Sequence, residues 1–182
     1  MMRAGLHGPL VGAGMVAFVL AAVLPCRAAA PEIRTELDVP YTPPAGGDPE
    51  VARMDLHLPA TDTPHPLVVF VHGGSWVGGD KGNLGKAPSL VSWFAQRGFA
   101  VAAPNFRLAS RPGASTDVTY ADQAADIAAA LAWLDAHGTD HGLADGPVLL
   151  LGYSSGAHLV ALLAADPSYL AAAGLTPEHL LG

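Results

Sequence analysis

Three short runs are apolar from end to end: Leu67-Val68-Val69-Phe70-Val71, Phe99 to Ala103, and Val148-Leu149-Leu150-Leu151. A strand with one wet face alternates apolar and polar residues. A strand apolar throughout is buried on both faces, as in a parallel sheet covered by helices. Parallel neighbours need crossovers long enough to hold a helix. The segments between the runs have that character. Ala87 to Arg97 places Leu90, Val91, Phe94 and Ala95 at helical spacing, and Gly98 supplies a stop. Asp122 to His137 carries Ile127, Leu131 and Leu134 on one stripe and ends at Gly138. Thr119-Tyr120-Ala121-Asp122 has the form of a capping box with Asp in place of Glu. Ser155 to Ala165 reads as a third helix, stopped by Asp166-Pro167. The fold class is therefore α/β, a mostly parallel, doubly wound sheet.

Two further strands precede this unit, Ile33 to Val39 and Val51 to Leu58, joined by Pro43-Pro44-Ala45-Gly46-Gly47-Asp48-Pro49, which is turn chemistry. Thr61 to Pro66 and 105 to 119 read as loops. Leu170 to Gly182 reads as one short helix, and no strand pattern remains in Asp166 to Gly182.

The first 30 residues stand apart. Arg3 and His7 precede an uncharged run from Leu10 to Leu24, followed by Pro25-Cys26-Arg27-Ala28-Ala29-Ala30. That is the pattern of a secretory signal peptide, with cleavage after Ala30 or Ala28. Fifteen residues fall short of the roughly 20 that a membrane span needs. An uncleaved anchor, or a lipoprotein acylated at Cys26, is the less favoured reading. The domain would then be residues 31–182, in a secreted or periplasmic protein without stable membrane association. Hydrophobic residues make up 51% of the chain and charged residues 14%, which excludes a disordered chain. The formal charge is -7. Arg3 and Arg27 are two of the nine basic residues, and all 16 acids lie beyond position 30, leaving 7 against 16, or -9. No basic footprint for a nucleic acid is present. A single cysteine excludes an internal disulfide framework and a Cys-rich zinc site.

Two motifs carry chemistry. Gly152-Tyr153-Ser154-Ser155-Gly156 fits G-x-S-x-G and stands directly after a buried strand and directly before a helix. In a nucleophile elbow such a turn is so tight that small residues must flank the serine, whose hydroxyl it lifts out at the strand's C-terminal edge. The helix that follows turns its positive end toward the site. His72-Gly73-Gly74-Ser75-Trp76 follows the first buried strand. Acyl transfer develops negative charge on a carbonyl oxygen, and preorganised backbone N–H groups stabilise it. The N–H groups of Gly74, Ser75 and Ser155 are the candidate donors, and Ser154 is the candidate nucleophile. A phosphate loop is excluded, because the residue after Gly79 is Asp80 and not lysine.

With these residues the chain resembles the α/β-hydrolase superfamily, in particular exported carboxylesterases with an HGG-x-W oxyanion motif. It is similar there to feruloyl and acetyl-xylan esterase-like proteins and to kynurenine formamidases. Gly79-Asp80-Lys81, Asn105-Phe106-Arg107-Leu108, Asp126 and Trp133-Leu134 match that branch in order, over about Leu67 to Ala165. The resemblance implies an α/β-hydrolase fold without cofactor or metal, acting on a small-molecule ester. His72 is read as a loop organiser rather than a base. Gly73, Gly152 and Gly156 give close approach. Asp80, Arg107 and Asp126 are read as structural supports of the oxyanion loop, and Trp76 as a pocket wall.

Other signals are set aside. Gly12-Ala13-Gly14-Met15-Val16-Ala17 has the letters of a dinucleotide fingerprint but no preceding strand. His137 and His141 are separated by Gly138, so they are not read as a metal pair. His158 lies one turn into its helix, poorly placed to take the serine proton.

A serine hydrolase needs a histidine base and an acid to orient it, in the chain order Ser, Asp or Glu, His for this fold. Only 28 residues follow Ser154 (182 minus 154), with Asp166, Glu178 and His179 as their titratable groups. The expectation is the N-terminal two-thirds of an exported serine carboxylesterase, lacking its triad acid, its histidine and its C-terminal strands, and nearly inactive as it stands. The alternatives are an arylformamidase-type amide hydrolase and a non-catalytic binding protein on a degenerate hydrolase scaffold.

Overall fold

The computed structural model describes residues 32–86, 88–109 and 117–181. The proposed signal peptide, residues 1–30 with Cys26, lies outside the described residues. Six strands form one sheet: β1 (Ile33–Pro40), β2 (Arg53–Pro59), β3 (Leu67–Val71), β4 (Ala100–Pro104), β5 (Val148–Gly152) and β6 (Leu180–Leu181). Their order across the sheet is β1-β2-β4-β3-β5-β6. β1 and β2 pair antiparallel, as do β2 and β4, while β4-β3, β3-β5 and β5-β6 are parallel.

The helices are α1 (Pro88–Ala95), α2 (Tyr120–His137), α3 (Ser155–Ala165) and α4 (Ser168–Ala172). α2 starts two residues before the expected Asp122 because Thr119 is its N-cap. Thr119 accepts from the Asp122 N–H, and the Asp122 carboxylate accepts from the Thr119 N–H at 2.8 Å. α1 closes at Gly98 (φ +81), where the Phe99 N–H reaches the Phe94 carbonyl at 3.1 Å.

Helices α2 and α3 cover one sheet face, with Ile127, Leu131, Leu159 and Leu163 packed on Leu56, Leu58, Val69, Val71 and Ala102. α1 covers the other, with Val91 and Phe94 on Val68, Val101 and Ala103. Every residue of β4 is buried, whereas every residue of β5 is only half-buried. β5 is flanked outward by a two-residue strand, and its own Leu149 and Leu151, with Phe70 of β3, remain partly open.

The C-terminal segment corrects the sequence reading. In place of one helix over 170–182 it holds α4, a 3-10 turn at Pro177–His179, and the strand β6 pairing Leu180 with Val148 and Leu181 with Leu149. Two residues are too few to show any periodicity. They become a strand because the open edge of β5 offers ladder groups to pair with.

Candidate active site

β5 ends at Gly152 and α3 begins at Ser155, so two residues make the turn between sheet and helix. Ser154 takes φ +53 and ψ -121. A residue with a side chain holds such a conformation at a cost of about 1–3 kcal/mol, and only where its surroundings over-determine it. They do so here. The Tyr153 N–H bonds the Val71 carbonyl at 3.1 Å, and the Gly156 N–H bonds the Tyr153 carbonyl at 2.9 Å. A Cβ on Gly156 would run into the carbonyl of Val71, and one on Gly152 into the Ala157 backbone. The small residues flanking the serine are thus required by backbone approach. Ser154 and Tyr153 are exposed, and Ser155 is buried at the start of α3. The Ser155 N–H is one of the helix's unpaired first-turn donors.

The His72–Trp76 loop leaves the neighbouring strand β3 and lies against this elbow. A Cβ on Gly73 would fall 2.6 Å from the Tyr153 carbonyl oxygen and 3.0 Å from the Ser154 Cβ. Gly74 (φ +145), Ser75 (φ +54) and Trp76 (φ +64) turn in succession through the left-handed half of backbone space. Adjacent parallel strands therefore deliver Ser154 and the Gly74, Ser75 and Ser155 amides to one end of the sheet.

His72 is buried, and its ring stacks on Phe106 with centroids 4.3 Å apart. Its Nδ1–H donates to the Gly73 carbonyl at 3.0 Å. Burial lowers its pKa, which keeps the imidazole neutral. Asp80 accepts from the Asn105 side-chain amide at 3.0 Å and from the Gly82 N–H at 2.7 Å. The bond from Asn105 is the main reason its carboxyl is held below the ordinary value. Arg107 grips Asp126 in a fork, Nε to Oδ2 at 2.9 Å and Nη2 to Oδ1 at 2.8 Å, and its own N–H adds a bond to Oδ2 at 2.9 Å. The third guanidinium nitrogen donates to the Gly46 carbonyl at 2.9 Å.

Trp76 sits on the α2–α3 side of the loop. Its indole N–H faces His158 Nδ1 at 3.4 Å, and Tyr120 stands edge-on to the same imidazole at 5.8 Å. On the opposite side of the loop lies an open, mostly apolar cleft of about 510 Å³, walled by Phe70, Leu90, Tyr153 and the His72–Gly74 backbone. Trp76 is not among the residues lining that cleft.

No side chain among the described residues hydrogen-bonds to the Ser154 hydroxyl. Asp166 accepts from the Ser168 N–H at 3.0 Å, at the start of α4. His179 bonds Thr176 and lies 3.7 Å from Asp135 of α2. Glu178 sits beside it in the same 3-10 turn. No cluster of three or more potential metal ligands occurs among the described residues.

Sequence reasoning passed over three supports. Lys81 bridges Asp38 and Asp55 at 2.9 Å each, pinning the end of the loop that begins at His72 to β1 and β2. Phe106 is the face on which His72 stacks. Gln123 is fully buried in α2. Its signal was available, since it precedes Ile127 by four on the apolar stripe.

Strand order, elbow and facing glycine loop define an α/β-hydrolase fold of the carboxylesterase type. Within it the chain belongs to the BD-FAE family, which matches residues 54–169. A probable carboxylic ester hydrolase, LipM, from Mycobacterium tuberculosis is 34% identical over 116 residues, 64% of this chain and 24% of that protein. A kynurenine formamidase from Danio rerio is 29% identical over 131 residues, 71% of this chain and 39% of that one. Among solved structures, esterase B from Lactobacillus rhamnosis superposes with a TM-score of 0.62 at 30% identity, covering 81% of this chain and 45% of that one. The chain thus matches under half the length of each of these relatives.

Proposed function

We propose that the chain is the nucleophile-bearing part of an exported serine carboxylesterase. The observation that carries this reading is the strained Ser154 backbone, held at φ +53 with the Gly73 loop pressed against it. Ser154 would attack the ester carbonyl. The N–H groups of Gly74, Ser75 and Ser155 would hold the oxyanion, the alcohol would leave, and water would release the acyl group. The small-molecule ester would lie over the exposed end of the sheet. The histidine that takes the serine proton and its orienting acid would come from further strands beyond β6. Two observations support that: the Ser154 hydroxyl has no partner among the described residues, and the relatives are much longer. Export rests on the composition of residues 1–30.

The 182-residue chain should label slowly with a fluorophosphonate at Ser154, lose that labelling on Ser154→Ala, and turn over p-nitrophenyl acetate barely above background. Rapid turnover abolished by Ser154→Ala would overturn the claim that the triad is incomplete. A reading frame beyond codon 182 that encodes Asp and His on further strands would support it. The match to the kynurenine formamidase favours a second reading, amide hydrolysis of an arylformamide. A completed chain offered N-formylkynurenine beside acetylated and feruloylated sugars separates the two.

A further inference from the structure

Gln123 makes one contact that reaches the oxyanion loop. Its Nε2 donates to the Trp76 carbonyl at 2.7 Å, and the Ala109 N–H donates to the same oxygen at 2.8 Å. We infer that Gln123 is a positioning residue for the Ser75 N–H, acting through two rigid peptide units; this rests on the esterase reading above.

The relay follows from peptide planarity. The Trp76 carbonyl and the Val77 N–H belong to one plane. Gln123 and Ala109 hold its carbonyl end. Its other end, the Val77 N–H, donates to the Gly74 carbonyl at 3.2 Å. That carbonyl shares a second plane with the Ser75 N–H. In a trans peptide the two groups point in opposite directions, so tying the Gly74 oxygen to Val77 aims the Ser75 N–H away from the turn. Ser75 (φ +54) and Trp76 (φ +64) both sit where side-chain-bearing residues relax unless tethered.

The burial of Gln123 makes the same point. It lies on the stripe of Ile127, Leu131 and Leu134, where an apolar residue would pack without penalty. Its Oε1 has no partner among the described residues. A buried acceptor left unpaired is unfavourable, and the bond from Nε2 to the Trp76 carbonyl is what offsets it. The amide orientation is forced, because only the NH₂ end can face a carbonyl.

The test uses the 182-residue chain. Gln123→Met keeps the length and removes both the donor and the orphan acceptor. It should melt at or above the wild-type temperature. Yet the Val77 amide should exchange about ten-fold faster and Ser154 should label with fluorophosphonate about ten-fold more slowly, the loss of one hydrogen bond. Gln123→Asn, which withdraws the amide by one methylene, should do the same and serves if the methionine variant does not fold. A purely packing role would leave both readouts unmoved in the stable methionine variant. Wild-type Val77 exchange in a folded variant overturns the inference whatever the labelling shows. If the unsubstituted chain labels no faster than Ser154→Ala, the esterase reading falls, and Val77 exchange alone decides the role of Gln123.

Discussion

Replacing Asp126 by alanine removes the anchor of the segment that follows β4. The Asp126 side chain is 3% exposed and its partner Arg107 is 15% exposed, so the pair is desolvated and screening by water is slight. The carboxylate accepts from the Arg107 Nε, Nη2 and backbone N–H. Removing one partner of a buried pair costs about 3–5 kcal/mol, because the other charge is left without compensation. Here Arg107 keeps the Gly46 and Asp122 carbonyls as acceptors, which places the loss at the lower end, about 3 kcal/mol. For a domain of this size each kcal/mol moves the melting temperature by about 2–4 °C, so a fall of roughly 6–12 °C is expected. Thermal melts followed by circular dichroism measure the fall and urea unfolding the free-energy loss, with Arg107→Ala and the double variant completing a cycle. The two single losses should exceed the double loss by roughly 1–3 kcal/mol. A loss under about 1 kcal/mol for Asp126→Ala, or additivity within about 0.5 kcal/mol, would refute the reasoning. The segment Asp126 holds also supplies Asn105 to Asp80 and Ala109 to Trp76, so fluorophosphonate labelling of Ser154 should slow in the same variant.

Two further outcomes are expected. Gly156→Ala drives a methyl into the carbonyls of Val71 and His72 and should lose at least about 1–3 kcal/mol in urea unfolding, so a wild-type midpoint would contradict the elbow packing. The Asp80 carboxyl is depressed below 3.8, chiefly by Asn105. A depressed carboxyl contributes stability above its unfolded pKa and loses it as pH falls through the folded one. Stability should therefore drop on acidification below about pH 4, and Asp80→Asn should flatten that slope in melts taken between pH 5 and pH 2. An unchanged slope would show that Asp80 is not held as described.

The β3, β5 and α3 boundaries were legible because each element is short, continuous and bounded by Gly, Pro or a cap. Thr119 and Asp122 announced α2 for the same local reason. The strand at Leu180–Leu181 was not legible, since its cause is the free edge of β5 and not its own two residues. Gln123 showed in the sequence only as a polar residue on an apolar stripe, and Lys81 did not show as a support at all. Their partners, Trp76 and the pair Asp38 and Asp55, are distant in sequence, and only packing brings them together.

By itself, then, the sequence of this protein determined the covered parallel sheet, because alternating apolar runs and helical stripes have no other way to bury themselves. It also determined where the backbone must turn at Gly152–Gly156 and His72–Gly74. The tertiary structure alone decided that those two turns meet. β3 and β5 lie side by side only because β4 pairs on the far edge of β3. That adjacency sets Gly73 against Ser154, and strand order is a property of the whole sheet that no local pattern encodes.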